Sequence, residues 1–244
     1  MAGIVLVNEK RVEKPSELVS ETDEIRIKGA ADENRFVGRG GLKLERALTE
    51  FDICADGYVC LDVGSSTGGF TDCLLQGGAA RVYAVDAGTN QLDWKLRNDP
   101  RVIVRENTNA RYLSTDDFPV RFDLITMDVS FISITKILEK LVPLLKDGGR
   151  IIILIKPQFE VGKGDVGKGG VVRDPEKHRT VVEKCVGFAE DLGLGTVGVI
   201  ESPIRGAAGN TEFLACFVKQ PDFSLRKWNL RRIGAKRPWI KSRK

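Results

Sequence analysis

The sequence predicts an α/β domain built on a mostly parallel, seven-stranded sheet with an antiparallel edge strand. Three observations carry that expectation. From Tyr58 onward, segments of strand length alternate with helical ones; the strand candidates are almost continuously aliphatic, as buried parallel strands are; and a glycine-rich turn follows the first of them. With 244 residues, 42% of them hydrophobic, the chain can form one such domain with a small appendage.

The elements follow in order. Residues 3–28 alternate short apolar groups with turns, from Ile4-Val5-Leu6-Val7 to Ile25-Arg26-Ile27, and read as a small β-rich unit too short to fold alone. That unit is assigned to 1–28, and a polar stretch beginning at Gly29 makes 29–38 a linker. Leu44, Ala47, Leu48 and Phe51 recur at helical spacing, so Lys43 stands at the front of an amphipathic helix behind the loop Gly38-Arg39-Gly40-Gly41. The main domain then spans 39–222. Its strand candidates are Tyr58–Val63, Arg81–Asp86, Arg101–Arg105, Phe122–Asp128, Arg150–Ile155, Thr196–Ile200 and Phe213–Val218. Helical stretches at Thr71–Gln76, Gln91–Asn98, Ile132–Leu145 and Glu176–Leu192 separate most of them. The last two strands have only a short connection, which predicts an antiparallel hairpin at one edge.

Composition narrows the function. The longest pure aliphatic run, Ile151–Ile155, is far shorter than the ~20 apolar residues of a membrane span, and no signal-peptide pattern opens the chain, so a soluble, cytoplasmic protein is expected. Cys54, Cys60, Cys73, Cys185 and Cys216 form no CxxC pair and suit reduced, mostly buried thiols better than disulfides or zinc. His178 is the one histidine and reads as a solvated helix residue. Proton chemistry must then use carboxylates, lysines or tyrosines, and no metal site is expected. The net charge of +4 is uneven, since nine Lys or Arg residues and no acid lie between Leu225 and Lys244. Trp228 and Trp239 stand among them, so the tail at 223–244 is either a phosphate- and base-binding segment or a solvated extension.

The run Asp62-Val63-Gly64-Ser65-Ser66-Thr67-Gly68-Gly69-Phe70 follows the first main strand and opens a helix. In an open α/β sheet that turn brings backbone N–H groups to a nucleotide-like ligand. Its Gly-x-x-x-Gly-Gly spacing departs from the dinucleotide fingerprint, which weakens the case for NAD. Asp86 ends the next strand, where an acid can accept bonds from ribose hydroxyls. Together these point to an adenosine-containing cofactor. A second glycine-rich run, Gly162–Gly169, nearly fits a phosphate-binding loop, but Gly169 stands where Ser or Thr would hold magnesium; it reads as a mobile lid or substrate loop. Asp128 and Lys156 end apolar runs, and Glu212 begins the last strand. If that strand runs antiparallel, all three reach the carboxyl edge of the sheet, and Lys43 could close the group.

Gly40-Gly41-Leu42-Lys43-Leu44, Asp62–Phe70, Met127-Asp128-Val129-Ser130-Phe131, Ile155-Lys156-Pro157-Gln158-Phe159-Glu160 and Gly209-Asn210-Thr211-Glu212-Phe213 closely resemble the hemolysin-A-type (TlyA) ribosomal RNA methyltransferases, relatives of the FtsJ 2′-O-methyltransferases. The resemblance covers nearly the whole chain. It implies a Rossmann-like fold, S-adenosyl-L-methionine as cofactor, and ribosomal RNA or a ribosomal subunit as partner. It further implies a Lys-Asp-Lys-Glu tetrad of Lys43, Asp128, Lys156 and Glu212. Asp62, Gly64, Ser65, Gly68, Gly69 and Asp86 would serve the cofactor, with Asn109 at the adenine position, where the FtsJ branch has an acid. Gly3–Asn8 followed by Lys14-Pro15 resembles the second half of an S4-type RNA-binding domain, without the helical portion that usually precedes it.

The expected chemistry is deprotonation of a ribose hydroxyl in line with an activated methyl group. Lys156 is the candidate to accept the proton or else to position the hydroxyl, with Asp128 and Glu212 orienting the lysines. Two other classes stand beside this one. A non-catalytic RNA-binding or ribosome-assembly protein could retain the cofactor cavity. A membrane-active hemolysin would need an amphipathic membrane segment, and the basic tail lacks a continuous apolar face.

Overall fold

The computed structural model describes residues 35–162 and 164–220, with short N-terminal stretches at 5–8, 10–11, 18–20, 23 and 25–27. The linker Gly29–Asn34 and the basic tail with Trp228 and Trp239 lie outside the described residues. In the N-terminal unit, β1 (Val5–Val7) pairs antiparallel with both β2 (Lys10–Arg11) and β3 (Ile25–Ile27). This is β structure where the apolar alternation predicts it; the S4 likeness is a resemblance of sequence.

The main domain begins with α1 (Gly40–Glu50), followed by β4 (Val59–Val63), α2 (Gly69–Gln76), β5 (Arg81–Val85), α3 (Trp94–Arg97), β6 (Val102–Arg105), β7 (Phe122–Met127), α4 (Thr135–Leu141), β8 (Leu145–Ile155), α5 (Pro157–Glu160), α6 (Pro175–Asp191), β9 (Leu194–Glu201) and β10 (Phe213–Lys219). The strands form one sheet in the order β6-β5-β4-β7-β8-β10-β9, parallel except that β10 runs against both neighbours. The predicted hairpin does sit at one side of the sheet. Its antiparallel member, however, is the inner strand: β10 inserts between β8 and β9, and the edge strand β9 runs with the parallel set. The expectation of an antiparallel edge strand is corrected by one place.

Strand periodicity explains both layers. Leu61, Val63, Tyr83, Val85, Ile151, Ile153 and Ile155 point to one face, where α4 and α6 cover them through Leu138, Leu141, Val182 and Cys185. Their neighbours Cys60, Val82, Ala84, Ile152 and Leu154 point to the other, beneath Leu44 and Ala47 of α1 and Phe70 and Leu74 of α2. Each fully buried large aliphatic side chain stabilises the fold by roughly 1.5–3 kcal/mol, so a sheet buried on both faces needs the near-continuous apolar strands seen here.

Two helices are shorter than their periodicity predicts. The stretch Ile132–Leu145 contains only α4 and one 3-10 turn at Val142–Leu144, because Pro143 cannot continue the hydrogen-bond ladder and Leu145 already belongs to β8. Gln91–Asn98 narrows to α3, started by Asp93, whose side chain accepts from the N–H of Lys95.

Candidate active site

The chain passes from β4 outward to β5 and β6, then returns to β7 on the opposite side of β4, so the direction of winding reverses between β4 and β7. In an open α/β sheet that reversal leaves a crevice beyond the strands' carboxyl ends. The glycine turn leaves β4 there, and Asp128 leaves β7 beside it, its N–H donating to the Val63 carbonyl at 2.9 Å. The Gly64 and Ser65 N–H groups both donate to the Val85 carbonyl, at 2.8 and 3.1 Å, which pulls the turn over the end of β5. Gly64 has φ +82°, and a Cβ on it would lie 2.9 Å from the Asp128 carbonyl carbon and closer still to its oxygen. Only glycine fits, because the turn passes directly against the β7 loop.

Two cavities meet across this crevice. The larger, about 580 Å³, is lined by Gly64, Ser66, Asp86, Gln91, Asn109 and the apolar side chains of Val129, Ile132 and Ile137, among others. Asp86 is held by the N–H groups of Ser66, at 2.8 Å, and Gly88, at 2.7 Å. A carboxylate has about four lone-pair sites, so two stay available to a ligand. Glu106 fixes the loop beyond Asp86. It accepts from the N–H groups of Asn90, Gln91 and Leu92 and pairs with Arg97 at 2.7 Å. The Arg97 guanidinium, with those N–H groups, holds the Glu106 carboxyl down at about 2.

The second cavity, about 420 Å³, contains all four members of the predicted tetrad in its lining. Lys43 Nζ lies 2.6 Å from Glu212 Oε2, a pair almost fully withdrawn from solvent. Lys156 Nζ lies 2.6 Å from Asp128 Oδ1 and donates to Ser130 Oγ at 2.9 Å. The Lys156–Asp128 contact is an ion pair rather than an aligned hydrogen bond, and Asp128 Oδ1 is otherwise a buried oxygen without a donor. Two lysines and two carboxylates thus compensate one another, as buried charges must. Glu212 is further enclosed by backbone: a Cβ on Gly206 would strike its Oε1 and stand 3.0 Å from Oε2. Gly64, Ser66, Asp128, Ser130 and Phe131 line both cavities, so the Asp128 loop is the wall between them.

Of the residues expected to serve a cofactor, Gly64, Asp86 and Asn109 line the larger cavity, while Ser65 and Gly69 line the second. Asn109 also accepts from the Arg111 N–H at 3.1 Å, starting a 3-10 turn. Asp62 and Gly68 line neither. Gly68 is the N-cap of α2, with φ +101°. Asp62 is wholly buried under the turn, accepting from Thr71 Oγ1 at 2.7 Å and Thr126 Oγ1 at 3.0 Å.

Burial pushes the Asp62 carboxyl up to about 7, against the partial relief of those two hydroxyls. An unfolded aspartate ionises near pH 4, so between about pH 4 and 7 the folded chain holds a proton that the unfolded chain has lost. The stability this group contributes is therefore complete below about pH 4 and is lost as pH rises through about 7. Asp62→Asn, neutral throughout, is expected to flatten that dependence. Melting temperatures of both proteins at pH 5 and pH 8 test it, and parallel shifts would show that Asp62 ionises normally.

The structure corrects the reading of His178. It is half-buried on α6, its Nε2–H donating to the Val172 carbonyl at 2.8 Å and its ring packing edge-on to Phe213, rather than standing in solvent. All five cysteines are free thiols and only Cys54 is exposed. Burial raises Cys60, Cys73 and Cys216 to about 12, which removes them as nucleophiles. Just beyond the second glycine-rich run, Asn210 accepts from the Val172 N–H and donates to the Gly170 carbonyl.

Sequence reasoning missed several residues of the site. Ser130 contacts Lys156; Phe131, at φ +64° and 91% exposed, holds its ring 5.1 Å from that of Phe159. Arg39, Gln158 and Arg205 also line the second cavity. The first two neighbours were detectable as the residues that follow Asp128 directly, but nothing local marks Arg39 or Arg205.

The sheet order, the glycine turn at the reversal and the paired cavities define the class as a Rossmann-like methyltransferase fold. Residues 36–219 match the family model described as FtsJ-like methyltransferase, and the chain belongs to that family. Among its relatives, the Bacillus subtilis protein named "Putative rRNA methyltransferase YqxC" is 49% identical over 215 residues, 88% of this chain and 76% of that protein. The Mycobacterium tuberculosis protein named "16S/23S rRNA (cytidine-2'-O)-methyltransferase TlyA" is 45% identical over 224 residues, 92% of this chain and 83% of that protein. A solved structure titled "Putative hemolysin from Streptococcus thermophilus" superposes with a TM-score of 0.79 at 46% identity, covering 90% of this chain and 80% of that one.

Proposed function

We propose that the chain is an S-adenosyl-L-methionine-dependent methyltransferase of ribosomal RNA, and that its acceptor is a ribose 2′-hydroxyl. The observation that carries this reading is the placement of Lys156, paired with Asp128 and Ser130, in a cavity that shares a wall with a nucleoside-sized one. The name of the M. tuberculosis relative supports the acceptor, and a ribosomal substrate implies a cytoplasmic site of action.

The larger cavity fits the cofactor. Its volume lies within the roughly 300–1,000 Å³ of small-molecule sites, and its donor set suits a nucleoside: a carboxylate with free lone pairs at Asp86, the glycine turn, the Asn109 amide and apolar walls at Val129, Ile132 and Ile137. When bound, S-adenosyl-L-methionine supplies a methyl group already activated on a sulfonium. The chain's own residues then orient the hydroxyl and manage its proton. Lys156, held by Asp128 and Ser130, contacts the hydroxyl: as the ammonium it positions the oxygen, and as the neutral amine, its own proton released to solvent beforehand, it accepts the hydroxyl proton, while Glu212 holds Lys43 as a cation of the cavity. Phe131 and Phe159 offer ring faces to a nucleobase, while Arg39 and Arg205 offer partners for phosphate.

Incubating the protein with methyl-labelled cofactor and separated ribosomal subunits, then mapping the labelled nucleotide, tests the reading. Label on a ribose is expected. Cofactor binding without label on either subunit would defeat it in favour of a non-catalytic RNA-binding protein. Relatives with hemolysin names do not alter the argument: among the described residues no helix is long and apolar enough to cross a membrane, and a lytic role leaves the tetrad without a task.

The nine basic residues of 225–244 are assigned to phosphate contact. Ending the chain at Asp222 is expected to weaken RNA affinity and flatten its salt dependence, since each lost phosphate contact removes about 0.7–0.9 from the logarithmic slope. A slope equal to that of the full chain would show that the tail does not touch phosphate.

A further inference from the structure

Glu160 is a buried acid that the proposed chemistry does not use. It ends α5, four residues beyond Lys156, and is only 6% exposed. Its two oxygens are both engaged on a single target: Oε2 accepts from Ser133 Oγ at 2.7 Å and Oε1 from the Ile134 N–H at 2.8 Å. Burial raises its carboxyl above the ordinary range, opposed by those two donors. A charge-bearing group so enclosed costs stability unless the contacts it makes are needed.

The target is the far end of the wall between the cavities. Residues 128–132 line one cavity or both, and their near end is fixed where the Asp128 N–H meets the Val63 carbonyl. Between the two ends lies Phe131, a non-glycine residue in the left-handed region with its ring almost fully in solvent. Such a conformation is strained for an L residue and persists only where the surroundings impose it. The segments after β7 and β8 are thus joined twice, by Lys156 to Asp128 and Ser130 and by Glu160 to Ser133 and Ile134.

We propose that Glu160 is a positioning residue, a latch that holds the 128–134 wall against the Lys156 segment so that Asp128 and Ser130 meet Lys156 and Phe131 keeps its outward pose. The proposal rests on the methyltransferase reading of the site for its consequence, but not for its mechanics. Glu160→Ala removes both acceptors. Glu160→Gln keeps the length; its carbonyl can accept from Ile134, and its amide can donate to Ser133, whose hydroxyl acts either way.

Two readouts separate the claims. Hydrogen exchange of the 129–134 amides, measured in the full chain without cofactor or RNA, is expected to rise at least tenfold in Glu160→Ala and to return most of the way in Glu160→Gln. The single-turnover transfer rate with both ligands saturating is expected to fall about a hundredfold in Glu160→Ala, with most of that loss rescued in Glu160→Gln. Unchanged exchange in Glu160→Ala, raised exchange with transfer within threefold of the parent, or no rescue by glutamine would each overturn the latch. A parent protein that transfers no methyl to ribosomal RNA would defeat the functional reading instead, and the exchange measurement alone would then decide the latch.

Discussion

Replacing Lys156 by alanine is expected to abolish methyl transfer while cofactor binding survives. The two effects separate because Lys156 lines only the cavity of the tetrad, not the one that holds Asp86 and Asn109. A positioned acid or base contributes typically 10²–10⁴-fold to a rate, so a loss of about a thousandfold in single-turnover transfer is the expected size. The variant leaves Asp128 without its cation, so some stability falls as well, and a melting curve must accompany the rates. Lys156→Arg distinguishes the two roles of the lysine. Arginine keeps the positive charge and the donors but stays charged at any usable pH, so it can position a hydroxyl and cannot accept its proton. An inactive arginine variant that binds cofactor assigns proton acceptance to Lys156; substantial transfer by it assigns positioning only. Near-parental transfer by the alanine variant would remove Lys156 from the mechanism altogether.

Gly64→Ala is expected to cost the protein its cofactor affinity. The position has φ +82°, where an L side chain costs roughly 1–2 kcal/mol, and its Cβ would overlap the Asp128 carbonyl. Overpacking of that kind costs a further ~1–3 kcal/mol. Relief can come only by moving the turn or the Asp128 loop, and both are cavity walls. A penalty of about 3 kcal/mol expressed at the site is more than a hundredfold in affinity. Calorimetric titration with S-adenosyl-L-methionine checks it; a Kd within threefold of the parent would mean that the turn takes no part in holding the cofactor.

Much of this site could be read in the sequence, because its parts lie where local pattern is strongest. Apolar runs ending in Asp128 and Lys156 announce strand ends, and a glycine turn after the first main strand announces a ligand. Asp62 shows the limit of that reasoning. An acid in a ligand-binding motif invites a contact role, yet the pleat turns it away from the crevice to Thr71 and Thr126, where it supports the turn from below. His178 fails for a similar reason: its helical spacing is visible, but the Phe213 ring and Val172 carbonyl that receive it come from other elements. Glu106 and Glu160 show the same limit. Their backbone partners, 14–26 residues away, carry no mark in the sequence.

The order of side chains along the polypeptide was sufficient to anticipate the alternation of strands and helices, the burial of the sheet on both faces and the meeting of Lys43, Asp128, Lys156 and Glu212 at one cavity. Those properties follow from periodicities of two and 3.6 residues and from resemblance in short motifs, all of which are local. Folding alone decided that β10 enters between β8 and β9, that Gly206 closes over Glu212, and that the Asp128 loop becomes a partition shared by two cavities. Such features arise from contacts between segments far apart in the chain, whose free energy depends on packing geometry that no single stretch of residues contains.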